Sequence, residues 1–425
     1  MNSAPAHSDR LLAGDWLLLT FVALLPLMKP PVRYPMIIAD LMFLALLLAI
    51  AVEVATGRRS PRWDPLFAVL AAYVLSLAPS MLASADPARS AFKLATELYL
   101  VGLAAVTAVV VRSTAMLRRV TLTWLAASGA LALLSLASLL AFAANPDSAL
   151  YGYSSFYFGT LPPGYYPRMA LSFFDANMAC NYLSVSLGLL LLAWQQKWLP
   201  PKLALLSLAG IAVAALPTIS PGFGGIALVL GVGAWLFKGS RLALGTAIVV
   251  AIAFILAQAV TPILHSTAPF FIHVPGTGLT LAPAGRFLTW SAALNEFVRH
   301  PWLGHGIGID AVLVRYRDPS GNLQQLTDAH NVFLNIAAQA GLVGLAGVAA
   351  LIAYAARLTF SLDAGGSRPI RLLLGLSFLI AFVYEGVGAG FEDSRHLWVL
   401  LGLLAAATII RADGSNRTAG APSPC

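Results

Sequence analysis

The feature that most limits what this chain can fold into is a recurring run of about 15 to 25 apolar residues, the length that crosses a hydrocarbon core of roughly 30 Å as a helix. Such runs recur about twelve times. They are Trp16–Met28, Met36–Ala55, Pro65–Ser84, Ala91–Val111, Leu117–Ala143, Asn177–Trp194, Leu203–Leu216, Gly225–Phe237, Leu242–Pro262, His330–Arg357, Leu372–Gly390 and His396–Ile410. The short seventh and eighth can also be read as one re-entrant pair. Composition agrees: 59% of the residues are hydrophobic, only 10% are charged, and the mean hydropathy is +0.81. Too few polar groups exist to coat a soluble globule of 425 residues, so the expected fold is an all-α polytopic membrane protein, a single domain over residues 1–425. Arg10 precedes an apolar run, Leu11 to Met28, that lacks an Ala-x-Ala cleavage site, and reads as an uncleaved first membrane helix.

The net charge of +8 is topological. Lys and Arg fall in ones to threes between apolar runs, without the clustered basic face that tracks nucleic-acid phosphates. Arg58, Arg59 and Arg62; Arg112, Arg118 and Arg119; Lys197 and Lys202; Lys238 and Arg241; Arg357, Arg368 and Arg371; and Arg411 with Arg417 share one side if the spans alternate. The positive-inside rule makes that side cytoplasmic and puts both termini there. With only Cys180 and Cys425, a disulfide framework is not expected.

The opposite face then holds two unusual connections. Residues 145–176 form an aromatic loop, in which "YGYSSFYFGTLPPGYYPRMALSFFDAN" carries five tyrosines and four phenylalanines. An interfacial aromatic belt accounts for these; stacking on sugar rings or lipid anchoring is the alternative. Residues 262–329 form a loop much longer than a connection requires, and such loops tend to carry function. Of seven histidines, His265, His273, His300, His305 and His330 lie in or at the end of this loop, and His396 begins the last span on the same face. They show no HExxH or H-x3-H spacing, so no metal site is expected.

Inside the long loop, "AGRFLTWSAALNEFVRHPWLGHGIG" reads as an amphipathic helix lying on the membrane. Phe287, Trp290, Leu294, Phe297 and Val298 share one face, and Thr289, Asn295, Glu296 and Arg299 the other. Arg286 stands in its first turn, where a cation opposes the helix dipole. That placement suits an anion shared between the guanidinium and the free N–H groups, phosphate above all; headgroup snorkelling is the competing reading. Gly304, Gly306 and Gly308 alternate in a segment better read as a tight turn than as a nucleotide loop. The tenth span opens "DAHNVFLNIAAQAGLVG". If Thr327 or Asp328 caps it, His330 falls in the first turn, where the dipole disfavours the imidazolium and leaves a neutral general base. Lys93 and Glu97, four apart on one helical face, should neutralise each other. Asp40, Glu53 and Glu385 near membrane level keep a proton-coupled transporter or flippase open as a rival.

Together these segments resemble the O-antigen ligase and Wzy-type polymerase superfamily of GT-C class membrane glycosyltransferases. "HPWLGHGIGID" followed by His330-Asn331-x-x-Leu334 with Gly341 and Gly344 is similar to its H-N-x-x-L-x6-G-x-x-G signature. Arg286 ahead of Trp290, Asn177 after "RMALSFFDA", and "FEDSRHLWVLLGLL" add to the likeness. The resemblance implies about twelve helices with a large periplasmic loop over a lipid-facing cavity. It implies transfer of a glycan from undecaprenyl diphosphate to an acceptor hydroxyl, on lipid A-core or on a growing polysaccharide, at the bacterial inner membrane, with no cofactor, metal or nucleotide sugar. Carried onto this chain, His330 activates the acceptor hydroxyl and Arg286 binds the diphosphate, while Asn177, Trp290 and Asn331 fall at substrate-binding positions. One departure stands out: in "TISPGFGG" Pro221 occupies the position of an arginine usual in the family. Arg168, Arg315 and Arg395, on the same face, are the candidate substitutes.

Overall fold

A computed structural model describes residues 11–29, 38–60, 63–155, 168–257, 260–264, 272–274, 276, 279–283, 285–317, 323–362, 367–388 and 394–410. Among these residues its helices are α1 (Ala13–Leu24), α2 (Ile38–Ala55), α3 (Pro65–Leu77), α4 (Pro87–Val110), α5 (Thr114–Ala144), the short α6 (Ala149–Ser154), α7 (Ala176–Gln195), α8 (Pro201–Ala215), α9 (Phe223–Lys238), α10 (Arg241–Ala257), α11 (Gly285–Arg299), α12 (Val332–Phe360), α13 (Arg368–Gly388) and α14 (Arg395–Ala407); twelve follow the apolar runs, and α6 and α11 lie in the two loops. Among the described residues, eight helices are long and apolar enough to cross a membrane, with a further four apolar helices of 10–17 residues, α1, α9, α10 and α14. The protein is therefore a multi-pass, helical membrane protein. Helices α8 and α9 are separate, joined through a 3-10 turn at Leu216–Thr218.

Sequence chemistry sets the helix starts. Asp64 and Asp86 accept the N–H groups of Leu66 and Arg89, each just ahead of a proline in the first turn; Ser113 caps α5 and Asp175 caps α7. Proline lacks the N–H that would be orphaned there, so Asp-Pro specifies both start and cap.

Helix α7 is the central strut, buried along nearly its whole length. In lipid no hydrophobic gain draws helices together, so small residues and interhelical hydrogen bonds take over. Trp124 of α5 stacks on Tyr182 at 5.2 Å and donates to Ser186 at 3.0 Å. A Cβ at Gly188 would lie 1.9 Å from Ser377 Oγ of α13, and one at Gly402 of α14 would lie 2.5 Å from the Ala104 carbonyl of α4. Several buried charged groups are held by ion pairs or backbone carbonyls. Arg59 bridges Glu53 and Asp15, both at 2.7 Å, pinning α1 to α2. Arg371 donates to the carbonyls of Leu358 and Ser361, which closes the end of α12. The expected Lys93–Glu97 pair is present at 3.4 Å, and Tyr73 donates to the same carboxylate.

The long loop is more structured than its helix alone suggests. Strands β1 (Val260–Leu264), β2 (Ile272–Val274) and β3 (Leu279–Pro283) form an antiparallel sheet in the order β1-β3-β2, and β4 (Val314–Arg317) pairs with β5 (Leu323–Leu326). The amphipathic helix is α11. Phe287, Leu294 and Val298 are exposed, whereas Thr289 and Ala293 are buried against the protein.

Helix α12 departs from a simple span. At Gly341, φ is 61° and ψ is −156°, and the helix breaks. The peptide groups freed by the break are taken up by the glycine-rich turn. His305 and Gly306 donate their N–H groups to the carbonyls of Ala338 and Gln339, and Leu342 and Val343 donate to Pro301 and Trp302. The turn is itself fixed by α4 and the 3-10 segment Ala78–Ala83: Ile307 N–H donates to Ser80 Oγ, and Ser90 Oγ donates to the Ile307 carbonyl. Unsatisfied backbone at membrane depth costs several kcal/mol, so a broken helix needs such partners.

Candidate functional site

His330 lies just ahead of α12. The expected cap and first-turn placement are corrected: Asn331 is the N-cap, its Oδ1 accepting from Phe333 N at 3.1 Å and Leu334 N at 3.2 Å. The helix starts at Val332, and His330 stands outside it with φ 49°, a left-handed conformation. Asparagine outcompetes Asp328 for the cap because the aspartate already accepts the backbone N–H of His330. Non-glycine residues reach the left-handed region at a cost of about 1–3 kcal/mol, and such strain persists only where the surroundings over-determine it.

Those surroundings are on hand. Asn335, 1% exposed, accepts the Ala329 N–H at 3.0 Å and donates to Asp328 Oδ2 at 3.0 Å. From the opposite side, Trp290 Nε1 donates to the Ala329 carbonyl at 3.0 Å, with Thr289 Oγ1 at 3.5 Å from the same oxygen. Residue 329 is thus held at both its N–H and its carbonyl, and the histidine that follows it has little freedom. Ala329 itself is buried with Ala293, Ala311, Val312 and Ala338.

The clamp also delivers Arg286. It sits in the first turn of α11, one turn before Trp290, within electrostatic range of the imidazole. The His330 side chain remains 41% exposed, with Nδ1 3.9 Å from Asp328 Oδ1. Its pKa is pushed below 6.5, chiefly by burial of the rest of the ring and also by Arg286, against the opposing pull of Asp328 and Asp175. The neutral imidazole is therefore the form present at neutral pH, as a general base requires.

The influence of Asp175 ties a second cluster to the first. Asp175 Oδ1 accepts the Asn177 N–H at 2.5 Å as the cap of α7, and Asn177 Oδ1 accepts from Ser220 Oγ at 2.8 Å. Arg168 Nε donates to the Thr218 carbonyl at 3.2 Å, and Met169 N–H to the Pro217 carbonyl at 2.9 Å. A line of hydrogen bonds therefore runs from Arg168 through the 217–220 turn and Asn177 to Asp175, whose charge reaches His330. Arg168 docks on the turn that leads into Pro221, where the sequence lacks the anticipated arginine.

The other candidates are engaged elsewhere. Arg315 donates to Gln325 across the β4–β5 hairpin at 3.1 Å. Arg395 pairs with Asp40 at 2.9 Å and lies over the Tyr99 ring, fastening α14 to α2 and α4. His396 meets Asn181 at 2.8 Å inside the bundle. His305 points both ring nitrogens at backbone carbonyls, those of Ala338 at 2.8 Å and Asp310 at 3.0 Å. Asn331 spends its side-chain oxygen on the cap. His265, residues 156–167 of the aromatic loop, and Phe391, Glu392 and Asp393 lie outside the described residues.

Sequence reasoning missed Asn335 and the setting of Asp328. The available signal was an amide one helical turn after Asn331, on a helix otherwise apolar as far as Gln339. Tertiary contacts turn that amide toward the preceding turn.

Fold and site together define a multi-pass helical membrane protein with a histidine and arginine cluster at one end of its bundle. Residues 218–349 match the family described as O-antigen ligase. The matched stretch holds Ser220, Arg286, Trp290, His330 and Asn331, and supports the O-antigen ligase and Wzy-type superfamily for this chain, a family of glycosyltransferase-like ligases and polymerases. No curated protein matches the chain.

Proposed function

We propose that the protein transfers a glycan from undecaprenyl diphosphate to an acceptor hydroxyl, lipid A-core in the first instance, on the periplasmic side of a bacterial inner membrane. The observation that carries this reading is a half-exposed His330, its pKa lowered, within electrostatic range of Arg286 at the head of an amphipathic helix. His330 takes the proton of the acceptor hydroxyl, and the oxygen attacks the anomeric carbon of the donor sugar. The bond from that carbon to the diphosphate breaks, and its electron pair leaves with the phosphate oxygen. Arg286, aided by the partial positive charge at the start of α11, faces the charge that develops there, the step at which fixed cations lower a barrier most. Arg168, docked on the 217–220 turn, supplies the second cation in place of the arginine absent at Pro221.

The apolar face of α11, with Phe287, Leu294 and Val298 exposed, suits a helix resting on the membrane surface where a lipid-linked donor would arrive. A polymerase of the same superfamily would use the same chemistry with a lipid-linked glycan as acceptor. Purified protein given undecaprenyl-diphosphate-linked glycan and lipid A-core, without nucleotide or metal, separates these readings. Glycan on the core is the expected product. A ladder of lengthened lipid-linked glycan would replace ligase by polymerase, and neither product would refute both.

A further inference from the structure

We propose that Asp328, locked by Asn335, is the positioning carboxylate of His330, so that base and orienting acid lie within one three-residue turn. This rests on the reading of His330 as the base. Asp328 uses its two oxygens differently. Oδ1 accepts the His330 backbone N–H and lies 3.9 Å from Nδ1 of the same residue, while Oδ2 accepts from Asn335 Nδ2 at 3.0 Å. The amide that fixes it is committed at both ends, since its oxygen accepts the Ala329 N–H at 3.0 Å. An apolar side chain would satisfy burial at 335 equally well, and the amide found there bonds within the turn that carries the histidine.

A carboxylate facing Nδ1 favours the tautomer with hydrogen on Nδ1, which leaves Nε2 as the acceptor for the incoming proton. When the acceptor hydroxyl gives up its proton to Nε2, the ring becomes cationic, and Asp328 stabilises it through a contact that only needs to shorten; catalytic hydrogen bonds are often long before substrate binds. Among the described residues, three charged groups act on the ring: Asp328 in its own turn, Arg286 from α11 and Asp175 from the cap of α7. Asp328 exerts the larger pull of the two carboxylates, and its second oxygen is tied to the helix that His330 precedes.

The test compares kcat, donor KM and the pH profile of glycan transfer for wild type, Asp328→Asn, Asn335→Ala and the double variant, all as full-length purified protein. Asp328→Asn keeps shape and removes charge. Expected is a fall in kcat of about tenfold or more, since loss of the carboxylate that orients a catalytic histidine can cost up to about 10⁴, with donor KM unchanged. The acid limb should move to lower pH, because the imidazolium loses its stabilising neighbour. Asn335→Ala should move kcat and the acid limb the same way, and the double variant should be no worse than Asp328→Asn, as expected of residues acting through one chain. Wild-type kcat and acid limb in Asp328→Asn would overturn the proposal, as would a loss of kcat with the acid limb unmoved, which marks mere support of the fold. Should Asn335→Ala fail to fold, the isosteric Asp328→Asn decides alone. His330→Ala, run alongside, separates the two readings: if it is inactive while Asp328→Asn behaves as wild type, only the positioning role falls.

Discussion

Replacing Gly341 by alanine should destabilise the protein far more than a one-methyl change in a membrane helix ordinarily does. The backbone there, at φ 61° and ψ −156°, occupies a region open almost solely to glycine, at a cost of about 1–3 kcal/mol for another residue. The added Cβ would also lie 2.4 Å from both the carbonyl carbon and the oxygen of Trp302. Those are backbone atoms of a turn already held by Ser80 and Ser90, and overpacking of this kind costs a further ~1–3 kcal/mol. The sum, about 2–6 kcal/mol, is a large share of an ordinary folding stability of ~5–15 kcal/mol. With an unfolding entropy of about 2.1 cal/mol/K per residue, it lowers Tm by about 2–7 °C for a chain of this length. Gly129→Ala is the control: residue 129 lies within α5, and a Cβ added there would meet nothing within 4 Å. That variant should be neutral or slightly stabilising, since helical glycine costs about 0.5–1 kcal/mol relative to alanine. Thermal melting of the detergent-solubilised variants, followed by size-exclusion fluorescence, reads both. A Gly341→Ala protein that melts with wild type, or with Gly129→Ala, would refute the broken helix and with it the route by which the glycine-rich turn holds the half of α12 behind His330.

Arg286→Ala should lower kcat/KM for transfer by about a hundredfold to a thousandfold, the scale of losing one fixed group at a developing charge, and Arg286→Lys should recover only part of it because a point charge lacks the planar fork; full recovery by lysine would argue against a bidentate contact. Trp290→Phe removes one neutral hydrogen bond to the Ala329 carbonyl and should slow transfer about threefold to tenfold at unchanged abundance, whereas an unchanged rate would detach α11 from the positioning of His330. The pH profile follows from the lowered pKa of His330: the base is active when deprotonated, so the midpoint of the acid limb of kcat should lie below pH 6.5, and a midpoint above that value would contradict the lowered pKa.

Much of this architecture is legible in the sequence because membrane helices are written in long apolar runs, whereas the Asp-Pro and Ser caps that fix their starts extend α4 and α5 by a few residues beyond those runs. The amphipathic helix at 285–299 follows from its three- and four-residue spacing for the same reason. The strands at 260–283 and 314–326 escape notice because they are short and lie in a loop whose pairing is decided by contacts distant in sequence. The start of α12 is ambiguous in the sequence since Asp328 and Asn331 are both competent caps, and only the backbone turn at His330 decides between them. The break at Gly341 is invisible in an apolar run, where a lone glycine reads as a tolerated helix residue. Arg168 can be named as a candidate from the sequence but not placed, because the 217–220 turn on which it docks approaches it from another helix pair.

The central claim, that His330 is the base for glycan transfer, is tested most directly by single-turnover transfer from undecaprenyl-diphosphate-linked glycan with wild type and His330→Ala, each with and without added imidazole. The account predicts that His330→Ala binds the donor as wild type does, fails to transfer it, and regains part of the rate when imidazole is supplied. Transfer by His330→Ala at the wild-type rate would contradict it.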